Sequence, residues 1–425
     1  MSEGRPDGGL GDTGALTKRI LIGLIAGIAL GVALNQVGTE LAFTRFVVDG
    51  VFHVGGQIFL ASLKMLVVPL VLVSLVCGTA ALEDVTKLGR IGGKTLGLYL
   101  LTTAIAISLA IIAAVIIAPG AGFDLPTEAV NYAAKETPGL AQTLINIFPD
   151  NPFKAMSEGR MLQVIVFAVL MGIAMTLSGD AGRELLRVFS SANAVIMKLV
   201  FMLMQIAPYG VFCLIARVFA NQGIDAFELL AKYFFVVLGV LFLHILVTYP
   251  TLLFVFARLN PIIFFRKLRA PMTVAFSTAS SGATLPVTLR TTEERLGVDS
   301  SIASFTIPLG ATINMDGTAI MQGVATVFIA QAYEIPLGPS DYLVVVLTAT
   351  LASIGTAGVP GVGTLMLAMV LRQMNLPVEG IGLILGVDRL LDMTRTAVNI
   401  SGDAAVSCIV ARSEGKLDLE TFRAP

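Results

Sequence analysis

Asp388, Asp392, Arg395, Asn399 and Asp403 follow one another at steps of four, three, four and four residues. At 3.6 residues per turn these side chains share one stripe of one helix. The segment that carries them, about 381 to 410, is otherwise mostly Leu, Ile, Val, Ala and Gly. Charged groups in so apolar a setting are expensive, and at membrane depth they face a protein interior or a water-filled cavity. Three carboxylates against one guanidinium leave the stripe short of positive charge. Bound cations or an ammonium-bearing ligand restore the balance, whereas a self-neutralised structural cluster does not.

Arg395 offers a planar fork that grips a carboxylate through paired hydrogen bonds. Asp392, one turn earlier, suits an ammonium. A further carboxylate suits the unpaired N–H groups and positive dipole ends of helix starts, and Ser280, Ser281 and Thr284 add hydroxyl donors. Together these describe a ligand with two carboxylates and an amine, meaning aspartate or glutamate. The structural alternative for Arg395 is a salt bridge to Asp392 or Asp388. Asn314, Asp316, Asn399 and Asp403 are hard oxygen donors, and Thr312, Ser353 and Thr356 add hydroxyls. That set suits alkali cations and lacks the thiolates or imidazoles a transition metal takes. The alternative for Asn314 and Asp316 is a capped kink in a helix.

The elements that must position these residues read as membrane helices. The chain has 425 residues, 56% hydrophobic and 13% charged, with a mean hydropathy of +0.86. A soluble core of this size would not leave so much apolar residue over, so the fold class is an all-α polytopic membrane protein in a lipid bilayer. The net charge of −1 argues against a nucleic acid partner. Cys77, Cys213 and Cys408 stand in apolar segments without metal-ligand spacing, against a disulfide framework or zinc site. His53 and His244 are lone residues in apolar runs and read as ordinary helix residues. Residues 1–16 have no apolar core, so no cleaved signal peptide is expected. With no Trp, interface anchoring falls to Tyr and the 24 Phe.

Apolar spans read at about 19–36, 46–80, 95–118, 160–178, 190–219 and 229–257. Several exceed the roughly 20 residues that a perpendicular helix needs, so tilt is expected. Lys18 and Arg19, then Lys87, Arg90 and Lys94, then Arg183 and Arg187, then Arg258, Arg266, Lys267 and Arg269 fall on alternate loops. The intervening loops are poor in Lys and Arg, which places the N-terminus inside.

Beyond Ala270 the pattern changes. The runs 277–286 and 352–363 are interrupted by small, hydroxyl, Gly and Pro residues. Each is followed by a long apolar segment with polar residues at its centre, 302–331 with Asn314 and Asp316, then 378–411 with the stripe. The order is broken hairpin, helix, broken hairpin, helix, the sequence form of an inverted repeat whose interrupted segments point at a binding site. Non-helical backbone at that depth must be buried in protein or line a cavity.

Asn314-Met315-Asp316-Gly317-Thr318, the serines at 280–281, the glycine-rich tip at 355–363 and the run from Asp392 to Asp403 together resemble the glutamate transporter homologues, the dicarboxylate/amino acid:cation symporters. The likeness covers nearly the whole chain. It implies eight transmembrane helices with two re-entrant hairpins, assembled as a homotrimer, in which a transport domain moves like an elevator against a static scaffold. It implies a cytoplasmic tail at 1–18, scaffold helices over 19–80, transport helix 3 over 88–118 and scaffold helices over 140–222. Transport helix 6 over 226–258, a transport core over 271–411 and a cytoplasmic tail at 412–425 follow.

By the same resemblance, Arg395 holds the substrate side-chain carboxylate and Asp392 its amino group. Asn399 and the tip at Ser280 and Ser281 take the α-carboxylate, and Thr318, Thr396, Val359 and Gly363 complete the pocket. About three sodium sites are implied. One uses Asn314, Asn399, Asp403 and the Gly310 carbonyl. A second uses backbone of Thr312, Ser353, Ile354 and Thr356. A third uses Tyr99, Thr102, Thr103, Asn314 and Asp316, and nothing in composition alone selects the first three of these. Members often carry a second arginine where this chain has Ala279 or Met393. The retained Asn-Met-Asp-Gly-Thr run, Thr356 and Asp403 favour sodium over proton coupling.

Two other classes compete with transport. An intramembrane aspartyl protease would pair Asp316 with Asp403, but neighbouring Arg395 and Asn399 would hold both ionised, and shared-proton chemistry needs one neutral. A channel is the third class, and a conductance need not exclude transport. The expected setting is a prokaryotic inner membrane, with both termini cytoplasmic and no enzymatic activity.

Overall fold

The stripe-bearing segment folds as one uninterrupted helix from Ile381 to Ser413, with no proline in it. It is the last long helix of a computed structural model that describes residues 10–38, 41–80, 85–122, 148–223, 225–353 and 361–424. Among the described residues the chain is helical, with one isolated antiparallel bridge between Val298 and Leu417.

In chain order the helices are α1 (Leu10–Val37), α2 (His53–Ala80), α3 (Val85–Ile117), α4 (Met161–Leu177), α5 (Gly179–Met204) and α6 (Ala207–Gln222). Next come α7 (Asp225–Leu243), α8 (Pro261–Thr278), α9 (Ser281–Glu294), α10 (Ser300–Ile313) and α11 (Asp316–Ala332). The order closes with α12 (Pro339–Ser353), α13 (Val362–Gln373), α14 (Ile381–Ser413) and the short α15 (Leu419–Arg423). A π-helical segment, Phe46–Phe52, leads into α2, and α7 continues through π-helical His244–Thr248 and Leu253–Ala257. Among the described residues, three helical stretches are long and apolar enough to cross a bilayer, Lys18–Val37, Arg90–Ile117 and Leu230–Ala257. Large apolar side chains such as Ile25, Phe43, Ile116, Phe235, Leu246 and Ile262 point outward, as lipid contact requires.

Two expected helices are broken. The span expected at 190–219 divides at Gln205–Ile206 into α5 and α6. Pro208 explains this: it has no N–H to donate into the preceding turn and sits at the start of α6, where that loss is harmless. The segment expected as one helix over 302–331 divides at Asn314–Met315 into α10 and α11. Asn314 is extended there (φ −91°, ψ 95°), and its side chain bonds another helix instead of its own turn.

The helices pack in two groups. α1 lies along α6, and α2 packs on α4, α5 and α6. Gly23, Gly27 and Gly31 let α1 and α6 touch at backbone distance: a Cβ at Gly23 would lie 2.5 Å from the Pro208 oxygen, and one at Gly31 2.6 Å from that of Ala216. Small residues at four-residue spacing pack membrane helices this way. The second group gathers α3, α7, α8, α10 and α11 around α14, with α9 on α8 and α13 on α11 and α12. The groups meet where α14 touches α6 and α1, where α13 touches α2 and α4, where α12 touches α4 and where α7 touches α6.

The first break lies between α8 and α9. Ala279 takes a left-handed conformation (φ 49°) to end α8, and Ser280 caps α9 by accepting from Ala283 N at 3.2 Å. The corresponding tip between α12 and α13, residues 354–360, lies outside the described residues. At the far end of α14, Glu414 accepts from Lys94 Nζ at 2.6 Å and also from Arg90, both on α3. Those bonds, Lys94 first, hold its carboxyl below the ordinary glutamate value of 4.5. Lys267 Nζ donates to the Arg295 and Thr421 carbonyls at 3.0 and 2.7 Å, tying α15 to the base of α8 and α9.

Candidate functional site

The stripe of α14 faces inward, and Asp388, Asp392, Arg395, Asn399 and Asp403 are all buried. Arg395 is fully enclosed. Its Nη1 donates to Asp388 Oδ1 at 2.5 Å, and its Nη2 to Asp388 Oδ2 at 3.3 Å and Asp392 Oδ1 at 2.9 Å. Both salt bridges that the sequence left as alternatives are therefore present together. Arg395 Nε is buried and has no hydrogen-bond partner among the described residues. Arg389, which the sequence reading passed over, places Nη1 3.3 Å from Asp392 Oδ2. Among the described residues, two carboxylates thus meet two guanidiniums, so their formal charges balance in this half of the stripe.

The charge deficit expected of the whole stripe lies instead at its other half. Asp403 accepts from Asn314 Nδ2 at 2.9 Å. Asp316, at the start of α11, accepts from Thr103 Oγ1 at 2.7 Å and from Tyr249 Oη at 2.8 Å, with His244 Nε2 at 3.3 Å. Both carboxylates are buried, and among the described residues no lysine or arginine pairs with either. Ionised groups so placed cost several kcal/mol each unless a cation joins them.

Helix breaks and close approaches build this half. Asn314, at the α10–α11 break, also donates to the Asn399 carbonyl at 3.2 Å. Gly317 N donates to Asn399 Oδ1 at 2.7 Å, so Asn399 ties the start of α11 to α14. Thr102 Oγ1 lies 3.4 Å from Asn314 Oδ1, and Tyr99 Oη donates to the Thr306 carbonyl at 2.9 Å. A Cβ at Gly310 would lie 2.5 Å from Asp403 Oδ1 and 2.6 Å from Tyr99 Oη, so the backbone of α10 reaches both. The structure therefore brings Tyr99, Thr102, Thr103, Gly310, Asn314, Asp316, Asn399 and Asp403 into one neighbourhood.

Other expected residues are placed in part. Gly363, at the start of α13, lies beside Thr318 and Arg395: its Cβ would be 3.1 Å from Thr318 Cγ2 and 3.7 Å from Arg395 Nη2. Thr396 Oγ1 donates back to the Asp392 carbonyl at 2.8 Å. Ser280 and Ser281 are buried at the start of α9, which packs on α14. Among the described residues, Thr312 and Ser353 bond within their own helices, to the carbonyls of Leu309 and Thr350 at 2.8 Å. Ile354, Thr356 and Val359 lie outside the described residues.

His244 is not the lone helix residue expected. It starts a π-helical segment, where residues five apart align. That register brings its ring to 4.6 Å from that of Tyr249, edge to face, with both beside Asp316. A helical reading of spacing at three and four residues misses this pair. The argument against a protease also changes. Arg395 engages Asp388 and Asp392, and Asp316 and Asp403 are each held by their own donors rather than by each other.

Residues 16–413 match the family model described as the sodium:dicarboxylate symporter family. The chain is 34% identical to the proton/sodium-glutamate symport protein of Bacillus caldotenax, over 95% of this chain and 96% of that one. It is 36% identical to the proton/glutamate-aspartate symporter of Escherichia coli strain K12, over 95% and 94%. It is also 36% identical to neutral amino acid transporter B(0) of Bos taurus, over 90% of this chain and 77% of that one.

Proposed function

The chain belongs to the sodium:dicarboxylate symporter family, and from that premise we propose that it carries aspartate or glutamate across a prokaryotic inner membrane by symport with sodium. One observation carries the reading. Asp316 and Asp403 are buried with no lysine or arginine partner among the described residues, while Asp388 and Asp392 share two guanidiniums. The first pair calls for small cations, and the second forms a site that can rearrange around a zwitterion with one extra carboxylate.

In this reading Arg395 turns its fork, with the spare Nε, to the substrate side-chain carboxylate. Asp392 receives the amine. Asn399 and the start of α9 at Ser280 and Ser281 take the α-carboxylate, with Thr318, Thr396, Val359 and Gly363 around the ligand. Identity to an acidic and to a neutral amino acid transporter is equal at 36%, so overall likeness does not set substrate charge. Arg395 does, because its guanidinium can turn to a side-chain carboxylate that a neutral amino acid lacks.

Sodium enters about three sites as co-substrate. Asn314, Asn399, Asp403 and Gly310 form one, Tyr99, Thr102, Thr103, Asn314 and Asp316 another, and Thr312, Ser353, Ile354 and Thr356 a third. Hard oxygens suit it. The grouping of helices supports an elevator in which α3 and α7–α14 move against α1, α2 and α4–α6 within a homotrimer, with both termini cytoplasmic. Proton coupling is the second reading, favoured by the relatives named for it and by His244 beside Asp316.

Isotope uptake of aspartate into proteoliposomes tests the function. Uptake driven by an inward sodium gradient supports it, and uptake driven only by an inward proton gradient replaces sodium with the second reading.

A further inference from the structure

Arg389 follows Asp388 directly and so starts about 100° around the helix from it. Its side chain nevertheless reaches back to Asp392 Oδ2 at 3.3 Å, and each partner's side chain is 11% exposed. The two oxygens of Asp392 are thereby divided, Oδ1 to Arg395 at 2.9 Å and Oδ2 to Arg389. The two arginines are not equivalent. Arg395 is enclosed and holds Asp388 through both terminal nitrogens as well as Asp392. Arg389 reaches Asp392 from the edge of the stripe through the longer and more exposed of the two contacts, so of the two bonds to Asp392 this is the weaker one.

We propose that Arg389 is a specificity-determining residue, a built-in cation that occupies Asp392 Oδ2 until a substrate ammonium replaces it. This rests on the reading that Asp392 receives the amine. While Arg389 is in place, it neutralises the carboxylate that would draw the ammonium in. A ligand with an amine must displace it, whereas a dicarboxylate without one leaves it where it is. Arg389 therefore reduces the margin by which the site prefers an amino acid over its amine-free counterpart.

The test uses the full chain in proteoliposomes, with L-aspartate and succinate as probes that differ by the amine. The quantity read is the succinate inhibition constant divided by the aspartate constant. Arg389→Gln and the similarly sized Arg389→Met, read in parallel so that one failing to assemble does not end the test, are expected to raise this ratio about tenfold. Arg389→Lys, which keeps the charge, is expected to stay near wild type. In an Asp392→Asn background the Arg389→Gln effect disappears. A ratio unchanged or lowered in Arg389→Gln and Arg389→Met, while Asp392→Asn alone still collapses it, overturns the role of Arg389 and leaves the amine assignment standing. A ratio that Asp392→Asn alone does not change removes the amine assignment, and this proposal with it.

Discussion

Asn314 donates to the carboxylate of Asp403 at 2.9 Å across the break between α10 and α11. The bond is possible only because the helix stops there: Asn314 is extended, and its side chain points to α14 rather than to its own turn. Breaking α10 thus places a carboxamide, a carboxyl and the backbone of Gly310 together, at a buried point where no lysine or arginine among the described residues pairs with Asp403.

Gly310 tests that arrangement without touching a charge. An added methyl would lie 2.5 Å from Asp403 Oδ1 and 2.6 Å from Tyr99 Oη, so both must shift. Overpacking of this kind costs about 1–3 kcal/mol. Gly310→Ala is expected to lower the thermal stability of the purified protein and to raise the sodium concentration needed for half-maximal aspartate binding. A variant with unchanged sodium dependence would show that α10 does not line a cation site.

Arg395→Cys is expected to abolish binding of acidic amino acids and to admit small neutral ones. Losing a buried charged contact costs about 2–5 kcal/mol, and the vacated volume suits an uncharged side chain. Arg395→Lys keeps the charge but not the fork that spans both oxygens of Asp388, so it should bind aspartate weakly rather than normally. Near-wild-type aspartate affinity in Arg395→Cys, read by calorimetry, would remove Arg395 from the substrate site.

Asp392→Asn separates amine recognition from carboxylate recognition. The carboxylate has two guanidinium partners, and an amide cannot offer an ammonium the same charge. Aspartate affinity should fall far more than affinity for succinate. Equal losses for both ligands would leave Asp392 a purely structural anchor for the arginines.

Glu414 supplies a pH dependence outside the membrane-spanning segments. Its carboxyl is held below 4.5 by bonds from Lys94 and Arg90. A depressed folded-state value means that this contribution is present above the unfolded value and lost as pH falls through the folded one. The thermal-stability advantage of wild type over Glu414→Gln should be full above about pH 4.5 and vanish in more acidic buffer. A difference that persists undiminished at lower pH would mean that Glu414 acts through packing alone.

The stripe on α14 was legible because period and polarity agree over its whole length, and the break at Ala279–Ser280 because small and hydroxyl residues coincide with Pro286. Arg389 was not, since its Cα lies off the stripe and only a long, flexible side chain brings it in. His244 and Tyr249 were hidden by a change of helical register, as five-residue spacing falls on one face only where the turn widens. Tyr99, Thr102 and Thr103 came from the resemblance alone, because three hydroxyls in an apolar helix carry no signal until Asn314 and Asp316 are placed beside them.

Under the proposed function, sodium joins Asp316 and Asp403, and Asn399 couples those ions to the ligand. The decisive measurement is aspartate affinity over a series of sodium concentrations, with choline replacing sodium at constant ionic strength. Affinity should tighten as sodium rises, aspartate should tighten sodium binding by the same factor, and Asp403→Asn and Asp316→Asn should each flatten the dependence. An aspartate affinity in the wild type that does not change with sodium would contradict the account.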